Sequence, residues 1–571
     1  MFRKTLKLSL IALITFNFLT FLSITGHSEV AKTFSRHMIS AANPLAARAG
    51  LNILRDGGSA VDAAIATQLV LGLVEPQSSG IGGGAFMLHF DADSQRVQSY
   101  DGRETAPHSA KPDMFMSGGK PIPFMAAAAS GLSVGVPGIM RMLELAHMHH
   151  GKLSWARLFK PAIKLAENGF TLSPRLARML ATEHILRQSP DARGYFYTDD
   201  GGTRATGTLI RNNAMAATLR KLAKQGADSF YTGSIAQGIV NTVQTAENNP
   251  GGMSLMDLSN YRAVERKPIC SPYREWQICG MGPPSSGGLA VLQTLGILEK
   301  FDLSALGVQS AEAVHLIGEA SALAFADRNA YVADADFVSV PINEMLTRKY
   351  LDRRAALIAP NRAGGERRHG GLTSDSTHKY TPTNDDKGLS TTHLSIIDSQ
   401  GNAVSMTSSI ETVFGSRLMT NGFILNNQLT DFSFYPSRDG SQVANSAAPG
   451  KRPRSSMSPT IVLDKHGKFI MAIGSPGGSR IIGFVIKNLI ATLDWNMAMQ
   501  AAIDLPNFLN RNGPIELEHF PEVEPLKLSL ENKGHRVRII KSASGLHGLR
   551  AIAGGLQGGA DKRREGVVLS D

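Results

Sequence analysis

The chain has 571 residues, 42% of them hydrophobic, enough for a large core arranged as several domains or as one two-part α/β unit. The formal net charge is +11 and the pI about 9.5. The Lys and Arg residues form no long run and no stripe interleaved with aromatics, which excludes nucleic-acid binding and leaves room for anionic small substrates.

At the N-terminus Arg3, Lys4 and Lys7 precede an apolar run from Leu8 to Ile24, and Thr25-Gly26-His27-Ser28 follow. This is the pattern of a secretory signal peptide over residues 1–28. It predicts a periplasmic or secreted protein with no stable membrane insertion after the signal is removed, since no other segment is apolar enough to span a bilayer; the run is also near the length of an uncleaved anchor, which is the alternative.

Residues 42–54 read as a helix stopped by Gly57-Gly58, and Ser59 is placed to cap a second helix from Ala60 to Leu73. Gly80, Gly82 and Ala85 have the nominal spacing of a dinucleotide site. A helix precedes them and a strand follows, the reverse of the Rossmann order, so NAD is rejected. The stretch reads as a glycine-rich loop feeding a central strand. Arg103 is a candidate carboxylate clamp, because a guanidinium pairs bidentately with a carboxylate; a surface Arg paired to a neighbouring Glu is the plainer alternative. Residues 135–190 are mostly helical, with His147, His149 and His150 exposed at a helix C-terminus.

A polar loop is predicted over 188–207, then helices to about 245. Cys270 and Cys279, the only cysteines, lie on two short strands around a turn at Ser271-Pro272. In an oxidising compartment they can close a small loop, for roughly 2.5 kcal/mol by loop entropy; two reduced thiols are the alternative. They fall short of a zinc set, and no metal or other cofactor is expected. A long amphipathic helix is predicted over 310–333, and the aperiodic, Gly-, Arg- and Thr-rich residues 359–390 read as a mobile linker.

From Gly388 the chain breaks into a strand, with Leu394 and Ile396 on one face and Ser395 and Ile397 on the other. Thr391 stands at its first position. A cut before Thr391 would create a residue with both a hydroxyl nucleophile and its own base, because an α-amine titrates near ~7.7–8. An ordinary strand with a Thr-rich start is the alternative. Downstream, Gln428 and Asp431 follow an apolar strand, and Ser455 and Ser456 precede another. Gly477 and Gly478 form a strand-to-helix turn whose amides suit an oxyanion hole, or simply a tight turn.

The runs TTHLSIID, FILNNQLTDFS, KRPRSSMSPT and GSPGGSRII, in this order, resemble the γ-glutamyltransferase family. ANPLAARAGLNILRDGGSAVDAAIA, SSGIGGGAFML and GRETAP extend the resemblance over essentially the whole chain after the signal. It implies an N-terminal nucleophile hydrolase: an α+β fold, a four-layer αββα sandwich. The precursor would be cut between Ser390 and Thr391 into a large subunit (29–390) and a small subunit (391–571), which stay together as a heterodimer and form the sandwich jointly.

The resemblance makes Thr391 the nucleophile of self-cleavage and of attack on the γ-glutamyl amide of glutathione and related compounds. Water, an amino acid or a peptide then takes the acyl group. Ser409 takes the hydroxyl position beside the nucleophile, and Gly477 and Gly478 form the oxyanion hole. Arg103, Ser455 and Ser456 hold the substrate α-carboxylate, and Gln428 and Asp431 its α-amino group. Glu411 stands where members usually carry Asn, so it either strengthens ammonium binding or reshapes the pocket for another acyl group. The stretch from Asp431 to Lys451 looks shorter than in members with a long lid, which implies an open site. Both features resemble the cephalosporin-acylase-like branch. The alternatives are therefore a glutaryl acylase or poly-γ-glutamate hydrolase with the same mechanism and, from another class, an uncut, non-catalytic exported binding protein.

Overall fold

A strand that is apolar on both faces needs cover on each side, and this chain supplies helices outside and a second sheet inside. The computed structural model describes residues 37–372, 390–438, 440–542 and 544–571. The predicted signal segment and residues 373–389 of the predicted linker lie outside them.

The first sheet contains β1 (Met38–Ala41), β2 (Gly84–Asp91), β3 (Arg96–Gly102) and β4 (Val264–Arg266). The second begins with β5 (Ile269–Tyr273) and β6 (Trp276–Gly280). The chain then returns to the first sheet with β7 (Ser390–Ile397) and β8 (Ala403–Glu411). Strands β9 (Thr460–Leu463), β10 (Phe469–Gly474), β11 (His547–Ile552) and β12 (Gly555–Ala560) complete the second sheet, and β13 (Val567–Ser570) closes the first. The strand orders are β13-β1-β7-β8-β2-β3-β4 and β12-β11-β10-β9-β6-β5. Every pairing within the two is antiparallel.

Strand β7 shows why the layers form. Leu394 and Ile396 join a core with α1 (Pro44–Arg55), α2 (Ala60–Val74), α3 (Ile139–His150), α4 (Trp155–Asn168) and α5 (Asn213–Gln225). Ile397, on the other face, meets Ile461, Ala472 and Leu549 of the second sheet. The outer face of that sheet is covered by α6 (Gly287–Leu298), α7 (Ala311–Tyr331) and α8 (Arg480–Leu493). The result is the predicted four-layer α+β sandwich. Between the sheets, Ser395 Oγ donates to the His547 carbonyl at 3.0 Å, and the buried His393 ring lies 2.8 Å from Thr407 Oγ1. Burial holds the His393 imidazole well below its usual pKa, so it is neutral.

The predicted helix starts hold. Ser59 Oγ accepts the Asp62 amide at 3.1 Å and the Asp62 carboxylate accepts the Ser59 amide at 3.0 Å, a complete capping box. Five readings need correction. Residues 188–207 are not all loop: Pro190–Phe196 is a helix, with Pro190 in its first turn, where the missing N–H costs nothing. The cysteine hairpin turns at Arg274-Glu275; Pro272 lies within β5, an edge strand that tolerates a residue without a donor. Of the three histidines on α3 only His149 is exposed; His150 stacks on His89 at 3.8 Å and lies 2.8 Å from the Tyr100 hydroxyl. Helix α7 is not amphipathic but buried almost all round. Residues 359–372 are not loose: Gly370 N–H donates to Asp327 at 2.8 Å, and Asn512 brackets the Arg367 backbone at 2.6 and 2.8 Å.

Candidate active site

Strand β1 ends at Ala41, opposite Leu394, so among the described residues the start of β7 runs on with β8 as its one strand neighbour. The β7–β8 register shifts between the pairs Ser390–Glu411 and Thr392–Ser408. Two residues of β8, Ser409 and Ile410, therefore face the single residue Thr391. Such a bulge re-aims side chains next to it, and here it turns Ser409 toward Thr391. Their hydroxyl oxygens lie 3.2 Å apart.

Both hydroxyls also reach the Ser390 carbonyl oxygen, Thr391 Oγ1 at 2.7 Å and Ser409 Oγ at 2.8 Å. The peptide that a cut before Thr391 would break thus carries two hydroxyl donors on its oxygen, one of them from Thr391 itself. Ser409 accepts the Glu411 amide at 2.9 Å, which fixes its rotamer. The Ser390 hydroxyl is tied to the Gln77 carbonyl. The Thr391 carbonyl, on the side β1 does not reach, accepts a bond from Arg564 Nη1 at 2.7 Å. The glycine-rich loop closes on this corner: a Cβ on Gly83 would stand 2.2 Å from the Ser409 carbonyl oxygen. Glycine is needed there for close approach, not for a phosphate.

One pocket is lined by Arg103, Thr391, Ser409, Glu411, Gln428, Asp431, Ser455, Ser456 and Gly478. The fold thus brings together groups spread over most of the sequence. Gly477, just before this lining, has φ +135° and Gly478 φ +60°, values that favour glycine, and α8 starts two residues later. The two amides lie just before a helix N-terminus, where backbone N–H groups favour negative charge. Cys270 and Cys279 are disulfide-bonded on β5 and β6 and do not line the pocket.

The far end of the pocket is charged. Arg103 is buried, not a surface residue, and its Nη2 donates to Asp431 at 2.5 Å and to the Arg454 carbonyl at 3.3 Å. Its neighbour Glu104 is pushed up to about 8 by burial, against the pull of Arg103, so that carboxyl is largely protonated at neutral pH. Asp431 also accepts Gln428 Nε2 at 2.9 Å. Glu411 has φ +82°, unusual for a residue with a side chain, and its Oε2 accepts Asn427 Nδ2 at 2.7 Å. Burial, and then the Asp431 charge, hold the Glu411 carboxyl well above the usual carboxylate range. Among the described residues, Glu411 Oε1 and Gln428 Oε1 are buried acceptors without a hydrogen-bond partner.

The two serines are set for the opposite sign. Ser455 Oγ accepts the Met457 amide at 3.1 Å, and Ser456 Oγ accepts Arg328 Nη2 at 2.7 Å. With its lone pairs engaged from behind, each hydroxyl can turn its hydrogen toward an anion. Arg328 also donates Nε to Ser286 Oγ at 2.9 Å.

Arg328, Arg454 and Ser479 also line the pocket, and sequence reading missed all three, together with Arg564. Arg328 sits inside α7, where a helical Arg reads as a solvent-facing residue. Arg454 directly precedes Ser455 in KRPRSSMSPT, which was the available signal for it. Ser479 directly follows Gly478, and its Oγ accepts Arg511 Nη1 at 2.8 Å.

The family profile described as gamma-glutamyltranspeptidase matches residues 46–570. The chain is 38% identical over 477 residues to the glutathione hydrolase proenzyme of Bacillus subtilis (strain 168), covering 82% of this chain and 80% of that one. It is 36% identical over 521 residues to the glutathione hydrolase proenzyme of Escherichia coli (strain K12), covering 89% and 87%. Among solved structures, cephalosporin acylase from Bacillus halodurans is similar with a TM-score of 0.82, at 27% identity over 94% of this chain and 96% of that one. The chain therefore belongs to the γ-glutamyltranspeptidase family.

Proposed function

We propose that this enzyme is a self-cleaving γ-glutamyl hydrolase and transferase acting on glutathione-like peptides, exported to the periplasm or beyond. In maturation, Thr391 Oγ attacks the Ser390 carbonyl carbon. The acyl group moves from nitrogen to oxygen, and water hydrolyses the ester. That leaves a large subunit ending at Ser390 and a small subunit starting at Thr391. In turnover, Thr391 Oγ attacks the γ-carbonyl carbon of the substrate and its proton passes to the freed Thr391 α-amine. The Gly477 and Gly478 amides take the charge on the tetrahedral oxygen. Collapse breaks the amide C–N bond, and the leaving amine collects the proton. Water or an acceptor amine then attacks the acyl-enzyme by the same steps in reverse. Ser409 orients the Thr391 hydroxyl, and no cofactor enters any step.

The observation that carries the substrate assignment is the pair of unpartnered buried acceptors, Glu411 Oε1 and Gln428 Oε1, beside Asp431. Leaving such groups unpaired is costly, and an ammonium offers three N–H donors to this corner. Arg103, Ser455 and Ser456 supply donors for a carboxylate. An ammonium and a carboxylate on one carbon is the head of a γ-glutamyl group. The likeness to cephalosporin acylase supports a second reading, a glutaryl side chain with the carboxylate and no ammonium.

Kinetics with γ-glutamyl and glutaryl anilides separate the two, because only the former carries the ammonium. Higher kcat/KM on the γ-glutamyl anilide supports the first reading; preference for the glutaryl anilide overturns it. N-terminal sequencing of the purified protein tests maturation. A fragment starting at Thr391 is expected, and a single uncut chain without turnover would leave the non-catalytic binding protein as the reading.

A further inference from the structure

Helix α7 carries His315 and Glu319 four residues apart, on one face. His535, which follows α9 (Val523–Asn532), comes up against both. All three are buried, and none lines the Thr391 pocket. His315 Nδ1 and His535 Nε2 are 2.7 Å apart, and His535 Nδ1 is 3.8 Å from Glu319 Oε1. One ligand atom from each of the three residues lies within 4.8 Å of the others.

The surroundings prepare these groups as ligands. His315 Nε2 is 2.8 Å from the Ala359 carbonyl oxygen. A carbonyl only accepts, so Nε2 carries the hydrogen and the Nδ1 lone pair faces His535. Metal-bound histidines are held the same way, with the far nitrogen donating to a carbonyl. The Glu319 carboxylate is fixed from behind by the Arg367 guanidinium and by the Gly364 N–H at 3.2 and 3.3 Å. Ligating carboxylates usually have such outer donors.

We propose that His315, Glu319 and His535 form a binding site for a zinc-class divalent ion, with two imidazole nitrogens and one carboxylate oxygen as ligands. Without metal, one proton shared between the facing ring nitrogens holds the rings together. On binding, that hydrogen moves to His535 Nδ1, on the Glu319 side, so both rings stay neutral and the ion accepts the two facing lone pairs. Zn–N bonds of ~2.0–2.1 Å in tetrahedral geometry set the nitrogens ~3.3 Å apart, so the rings part by roughly half an ångström. Water completes the coordination. The Arg367 charge opposes a second cation, so the affinity expected is on the order of micromolar, not that of a closed structural site.

The test uses the full, tag-free protein, stripped with a chelator and titrated calorimetrically with zinc chloride. Wild type should bind one ion per chain and gain thermal stability, and His535→Ala should lose affinity by at least about 100-fold. No saturable binding by wild type, or equal binding by His535→Ala, overturns the site. If His535→Ala does not fold, zinc-edge anomalous diffraction on wild-type crystals decides. A peak among the three side chains upholds the proposal, and none there overturns it.

Discussion

At the Thr391 end of the pocket the polar groups are neutral hydroxyls on two paired strands and the amides of a strand-to-helix turn; at the Arg103 end they are mostly charged or titratable and held by the loops after β3 and β8 and before β9. Bond-making needs fixed distances, which a sheet ladder and a bulge provide. Recognition of a zwitterion needs opposed charges side by side, here Arg103 and Asp431 in contact at 2.5 Å, which loops can surround on several sides. The two ends should therefore fail differently, the first in kcat and the second in KM.

The largest break is Thr391→Ala. It should leave one uncut chain by mass spectrometry and lower kcat by at least about 10⁴, whereas Thr391→Ser, which keeps hydroxyl and amine, should mature. Next is Gly477→Ala. It forces an L residue to φ +135° and puts a Cβ 2.7 Å from the Phe484 ring. The oxyanion assignment predicts a kcat loss of about 10²–10³ with little change in KM, and a change in KM alone would count against it.

At the charged end, Arg103→Met should raise KM for the γ-glutamyl anilide by about 100-fold and lower Tm, because it leaves Asp431 without its guanidinium. Arg103→Lys should recover only part of this, since the fork geometry is lost. The smallest and most diagnostic change is Glu411→Gln, measured as KM against pH. Glu411 has a raised pKa, so at low pH it is protonated and the neutral variant mimics it. As pH rises through that raised pKa, only wild type gains a negative charge beside the ammonium. The ratio of KM values should therefore climb with pH to about tenfold. Stability should move the other way. A carboxyl whose folded pKa is raised favours the fold below its unfolded pKa, and that contribution is lost as pH rises through the folded value. Glu411→Gln should gain stability over wild type in that upper window, read as Tm against pH.

The strand beginning at Thr391, the glycine loop and the pairs Gln428/Asp431 and Ser455/Ser456 were legible because each is a local run with its own chemistry. The sandwich itself was legible through family resemblance. What stayed hidden depended on partners far away in sequence. Helix α7 read as amphipathic because its polar residues count as solvent-facing in a periodicity argument. In the fold Asp327 meets Gln293, Tyr350 and Arg354, and Arg328 meets Ser286 and Ser456. His315 and His535 are 220 residues apart, so no spacing rule connects them. The Ser271-Pro272 turn was misplaced because that pair usually marks a turn, whereas here an edge strand accommodates the proline.

The order of the first sheet has one more consequence. Strand β1, from the segment before Thr391, is paired on one side with β13 and on the other with β7, both from the segment after it. A break in the backbone before Thr391 would leave this interleaving intact. The two polypeptides could then separate only by rupturing both ladders, which is to unfold. The nicked molecule should melt in denaturant as a single cooperative unit, with a midpoint that rises with protein concentration because unfolding releases two chains, whereas the uncut Thr391→Ala chain should show no such dependence.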